Sequence, residues 1–152
     1  MCSLRTGICI AILACFGCLS ADAQPLPAKF RGAYVCAKLP TTRGILRTSL
    51  DLIVDGGSAW FARPLFNLDG TRVLGIEIAS GAVDGNGELR LTSQWSYLGD
   101  SAAGDYRGTI GASGGTLIGA QTWTRPGTPP VRRHCVLALV PAPDASAANP
   151  EQ

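Results

Sequence analysis

Two short motifs in this 152-residue chain have the residue types and spacing of working sites. Gly111-Ala112-Ser113-Gly114-Gly115 fits the Gly-x-Ser-x-Gly pattern, in which a serine on a sharp strand-to-helix turn becomes a nucleophile. That chemistry needs a helix after the turn, then an Asp and a His later in the chain. Here the residues after Gly115 alternate like a strand, and the single His134 precedes Asp144, the only later Asp. A hairpin turn accounts for the same glycines. Asp84-Gly85-Asn86-Gly87-Glu88 starts like a calcium loop, but Leu89 stands where the sixth-position Gly belongs and Trp95 where the twelfth-position Glu should bind. This too reads as a turn. One His and two cysteines in the folded part do not make a closed metal set, so neither metal nor cofactor is expected.

Paired carboxylates for acid–base work are scarce. Asp51 and Glu77 fall on faces expected to be wet, and Asp55, Asp69, Asp84, Asp100 and Asp105 sit in or beside turns, where Asp bonds nearby backbone N–H groups. Arg31, Arg47, Arg63, Arg72, Arg90, Arg107, Arg125, Arg132 and Arg133 are spread over the strands and read as a solvated outer face. His134, opposite in direction to Cys135, reads as exposed. With a formal charge of +2, 16% charged residues and no basic stripe interleaved with aromatics, nucleic acid is not an expected partner.

The aromatic residues are the better lead. Leu117, Gly119, Gln121 and Trp123 share one strand face, Tyr106, Gly108 and Ile110 another, and Trp95 and Tyr97 a third. If these faces point into a common interior, Trp95, Tyr97, Tyr106, Gln121 and Trp123 are the candidate ligand-binding residues. Glycines beside rings leave room, and the Gln121 amide can orient a guest. The competing reading is that the rings simply fill a narrow core.

The elements that must position these residues follow from the ends and the periodicity. Arg5, an apolar run over residues 7–19 and the exit Ala21-Asp22-Ala23 describe a secretory signal peptide over residues 1–23, cleaved after Ala23. Alternatives are lipid attachment at Cys15 in Ile12-Leu13-Ala14-Cys15, or a retained anchor, for which the run is short. Export places the protein in the periplasm or outside the cell. Of the six cysteines only Cys36 and Cys135 then remain, and in an oxidising compartment they read as one disulfide; two unpaired buried thiols are the alternative.

Residues 24–28 read as an N-terminal linker, 29–140 as a β domain and 141–152 as a flexible tail. Strands are expected over residues 30–37, 46–54, 58–66, 72–83, 88–98, 104–112, 116–124 and 132–140. Leu46, Thr48, Leu50, Leu52 and Val54 share one face with Arg47, Ser49 and Asp51 opposite; Leu89, Leu91, Trp95 and Tyr97 alternate with Arg90, Thr92, Gln94 and Ser96; and Leu74, Ile76 and Ile78 alternate with Gly75, Glu77 and Ala79. Pro64 suggests an edge or a bulge in the third strand. A Cys36–Cys135 bond makes the first and last strands neighbours. Eight hairpin-linked strands with that adjacency form an antiparallel up-and-down barrel closed by a first-to-last-strand disulfide. The second, fourth and sixth connections are tight; the first, third, fifth (residues 99–103) and seventh are longer and gather at one mouth.

This layout resembles the calycin group of small barrels. It also resembles the small bacterial inhibitors of c-type lysozyme, in Tyr34-Val35-Cys36 with Cys135, and in Ser80-Gly81-Ala82 beside their Ser-Gly-x-x-Tyr loop; Asp84 replaces the Tyr. The expected function is a non-enzymatic binding module for a small, partly apolar ligand at the long-loop mouth. The alternative is an envelope interaction protein, inhibiting a secreted or periplasmic lysozyme or protease through its loops. No membrane span is expected after signal removal. An outer-membrane barrel shares the loop pattern, but the chain ends in Ala147-Ala148-Asn149-Pro150-Glu151-Gln152 rather than in an aromatic-terminated strand.

Overall fold

A computed structural model describes residues 26, 28–39, 44–66, 71–97 and 99–143, Tyr97 by its backbone alone. The expected signal peptide and most of the expected tail lie outside the described residues. Eight strands follow one another: β1 Lys29–Cys36, β2 Leu46–Asp55, β3 Ser58–Phe66, β4 Val73–Val83, β5 Glu88–Tyr97, β6 Asp100–Gly111, β7 Gly114–Thr124 and β8 Val131–Pro141. Each pairs antiparallel with the next, and β1 pairs with β8, so the sheet closes into an up-and-down barrel. The expected fold class is the observed one.

Local chemistry explains the short end. Gly56 and Gly57 have φ of 54° and 83°, the two positive values that a mirror-image two-residue turn needs to match strand twist. Between β4 and β5, Asp84 Oδ1 accepts the Asn86 and Glu88 backbone N–H groups, both at 2.9 Å. The calcium-like motif is therefore a capped turn, and Ser113 is an exposed turn residue. At the other end, Cys36 and Cys135 are direct cross-strand partners with Cα atoms 4.0 Å apart, and their sulfurs are bonded. The adjacent bond from Ala37 N–H to His134 O marks them as a non-hydrogen-bonded pair, where facing Cα atoms come closest.

Several expectations are corrected. β6 begins at Asp100, so only residues 98–99 separate it from β5 and the fifth connection is not long. Beside the barrel, Leu26 packs on the core, Val54 N–H donates to Ala28 O, and Ala142 N–H to Lys29 O. Ser80-Gly81-Ala82 lies within β4, as the strand expected over 72–83 has it, so it does not form the loop of the lysozyme-inhibitor motif it resembles. Pro64 pairs with Ile76 of β4, just before a register shift at Leu65/Phe66. On its other side β3 is laddered to β2 only from Ile53↔Trp60 to Asp55↔Ser58. The Pro64 segment therefore needs no donor toward β2, and the wall between β2 and β3 parts toward the long-loop end.

β4 is inverted relative to expectation. Ile76 and Ile78 are 57% and 59% exposed, whereas Glu77 is 1% exposed. Glu77 shares its face with Ala79, Gly81 and Val83, and that face is the inner one. Arg63 and Arg133 are likewise inside, at 4% and 6%, rather than on the solvated surface. The other described arginines and His134 do face water.

Candidate functional site

The lumen changes character along its length. Near the short turns it holds Phe30, Leu52, Phe61, Leu89, Leu91, Leu117, Leu137 and Leu139, an apolar plug with no room for a guest. Halfway up it becomes polar. Alternation places Tyr34, Glu77, Ser93, Tyr106 and Gln121 on inner faces, and β6 supplies small residues between them. Gly104 lies opposite Ser93 on one side and Gln121 on the other. A Cβ there would stand 2.5 Å from Ser93 Oγ, so only Gly leaves space for the hydroxyls to converge.

Glu77 is the hub. Its Oε1 accepts from Ser93 Oγ at 2.7 Å and Gln121 Nε2 at 2.9 Å, with the Tyr106 and Tyr34 hydroxyls at 3.4 and 3.5 Å. The two tyrosine oxygens are 2.6 Å apart and share one hydrogen bond. Burial pushes both phenols upward in pKa, and the Glu77 charge adds to it. Gln121 turns its carbonyl the other way, accepting from Arg133 Nε and Nη2 at 2.9 and 2.6 Å and from Trp123 Nε1 at 3.3 Å. Burial lowers the Arg133 pKa, though a guanidinium keeps its proton.

Above this network sits an aromatic and cationic layer. Trp95 and Trp123 flank Ala102 on β6, with ring centroids 4.7 Å apart. Arg63 lies over the Tyr34 ring at 4.5 Å and Arg133 over Trp123 at 5.3 Å. Arg63 also faces Glu77 across the β3–β4 ladder, with Nη2 2.5 Å from Oε2. That contact is an ion pair without hydrogen-bond alignment, so Nη2 and Oε2 remain without a directed partner. Arg63 Nε and Trp95 Nε1 are buried and have no partner.

These residues border a cavity of about 580 Å³. Its wall includes Arg63, Trp95, Trp123 and Arg133 from the lumen and Leu46, Thr48, Pro64 and Leu65 from the parted edges of β2 and β3. The volume suits a small organic molecule. A larger surface groove, about 720 Å³, crosses β5–β8 past Arg90, Arg107, Arg132 and His134, but those side chains are exposed and none is among the buried groups without a partner. Ser93 and Glu77 do not line the β2–β3 cavity, so the serine hydroxyl is not presented to a guest there. Among the described residues, no three His, Cys, Asp or Glu side chains gather to hold a metal.

Of the residues singled out from sequence, Trp95, Tyr106 and Gln121 are buried together and Trp123 is half-buried beside them. The Tyr97 side chain lies outside the described residues. Sequence reasoning missed Tyr34, Arg63, Glu77, Ser93 and Arg133. Alternation carried a signal for two of them: Arg133 has the parity of Cys135, Leu137 and Leu139, and Arg63 that of Ala59, Phe61 and Leu65. No family model, curated protein or solved structure matches the chain.

Proposed function

We propose that the protein is an exported, non-enzymatic binding module that takes a small, partly apolar ligand in the upper lumen. The observation that carries this reading is the cavity itself, where buried and partnerless Arg63 Nε and Trp95 Nε1 accompany apolar walls. An unpaired buried donor costs about 1–3 kcal/mol, and a guest acceptor would remove that cost. The cross-strand disulfide supports an oxidising compartment. Exposed Arg90, Asp105 and Arg107 on the outer faces of β5 and β6 favour a barrel in water over one in lipid. The test is a titration with the neutral fluorophore N-phenylnaphthylamine. Saturable enhancement, reversed by decanol or decanoate, is expected; a linear, non-saturable response would count against the reading.

A second reading keeps the resemblance to lysozyme inhibitors and calycins. It is favoured by the outer face of β3–β4, where Trp60, Phe66, Ile76 and Ile78 are each about half exposed or more. Its test is inhibition of purified c-type lysozyme and of secreted serine proteases. Unchanged rates with both enzyme classes would remove it.

A further inference from the structure

Resting on the binding reading above, we propose that the ligand is an organic monoanion, a carboxylate carried on an apolar body, with its head group between Arg63, Arg133 and Trp95. The first ground is charge. Among the described residues the buried ionic groups are Arg63, Arg133 and Glu77, two cations against one anion. The excess positive charge is inside the barrel, where an uncompensated ion is costly and a bound anion neutralises it.

The second ground is the composition of the wall. Among the described residues the cavity is bordered by Arg47, Arg63 and Arg133 and by no acidic side chain, a wall whose potential repels a cation and attracts an anion. Glu77, the buried carboxylate among the described residues, accepts from Ser93 and Gln121 through Oε1, meets Arg63 through Oε2 and does not line the cavity. The third ground is the direction of the free donors. Arg63 Nε and Trp95 Nε1 are both N–H groups, and neither can accept. Their natural partner is an oxygen with several lone pairs, and a carboxylate accepts from more than one donor at once. Gly75 leaves the room that the indole N–H occupies: a Cβ there would lie 2.5 Å from Trp95 Nε1. Leu39, Leu46, Leu65, Leu74 and Phe66 line the remainder, which suits an apolar tail reaching toward the gap between β2 and β3.

The test compares three ligands with one tail and different heads. Decanoate, decanol and decyltrimethylammonium, each below its micelle concentration, are titrated by calorimetry into the oxidised protein. Decanoate is expected to bind at least about tenfold more tightly than decanol, as a charge-assisted hydrogen bond implies, and the ammonium weakest. Trp95→Phe, which keeps a ring and deletes the N–H, and Arg133→Gln should each narrow the decanoate-to-decanol ratio, with folding checked by circular dichroism. Equal affinity for decanoate and decanol, or tightest binding of the ammonium, overturns the anion inference and leaves the binding reading standing. No heat or saturation with any of the three overturns both.

Discussion

The two halves of the lumen are built from the same eight strands on opposite principles. Below, Phe30, Leu52, Phe61, Leu89, Leu91, Leu117 and Leu137 fill the barrel with interlocked apolar side chains, each at most 2% exposed. Above, Glu77, Ser93, Gln121, Tyr34 and Tyr106 form a hydrogen-bonded network, and beyond it two arginines and two indoles face a cavity. The lower half tolerates apolar exchanges that keep volume at a cost of about 1.5 kcal/mol or less; the upper half depends on named partners. Apolar packing is concentrated below, and the buried groups left without partners are concentrated above. That division is the arrangement expected of a scaffold that holds a site.

Truncation in the plug should have the largest effect on stability. Phe61→Ala removes a fully buried ring and should cost about 3–5 kcal/mol, read as a large fall in denaturant midpoint. Deleting one member of the upper ion pair should come close. Glu77→Gln leaves Arg63 and Arg133 as two unbalanced buried cations, for a loss of about 3–5 kcal/mol. Adding Arg63→Met to that variant should restore part of the loss; a double variant less stable than Glu77→Gln alone would contradict the pairing. The cross-link comes next. Joining residues 99 apart restricts the unfolded chain, so Cys36→Ser or Cys135→Ser should cost about 2–5 kcal/mol, with the double variant no worse than either.

Alkali should separate the halves without mutation. Tyr34 and Tyr106 both have phenols raised above their ordinary value by burial. Up to about pH 10 folded and unfolded chains both keep these protons; above it the unfolded chain loses them first, so stability falls as pH rises. A Tyr34→Phe, Tyr106→Phe variant should show a shallower alkaline decline in melting temperature. The smallest effect belongs to the outer surface. Arg31, first, and Lys29 hold the Asp51 carboxyl down to about 2. This stabilisation is present above the unfolded value near 3.9 and is lost as pH falls through about 2. With Asp51 37% exposed, Asp51→Asn should cost under about 1 kcal/mol at neutral pH.

Much of this was legible in the sequence where one physical rule acted alone. Tight Gly turns, two-residue alternation and two remaining cysteines lead to eight strands and a first-to-last closure. The inner faces of β5 and β7 were readable because Leu89, Leu91, Trp95 and Leu117 mark them. β4 was not, because its isoleucines point to solvent while Glu77 points to Gln121 and Ser93, partners that lie far along the chain. A residue whose burial is compensated by distant hydrogen bonds has no local signature. Arg63 and Arg133 do share the parity of their apolar neighbours, but a guanidinium defaults to the wet face unless its distant partners, Glu77 and Gln121, are known, and the charge of the site was missed with them.

Whether a guest binds in the upper lumen is tested directly by the chain's three tryptophans. Trp95 and Trp123 border the cavity, whereas Trp60 is 47% exposed on the outer face of β3. In a ¹H–¹⁵N spectrum of the oxidised protein titrated with decanoate, the Trp95 and Trp123 indole N–H resonances should shift saturably, Trp95 downfield as its N–H gains an acceptor. Trp60 should stay in place. Movement of Trp60 with the other two unmoved would put the contact on the outside of the barrel and contradict the account.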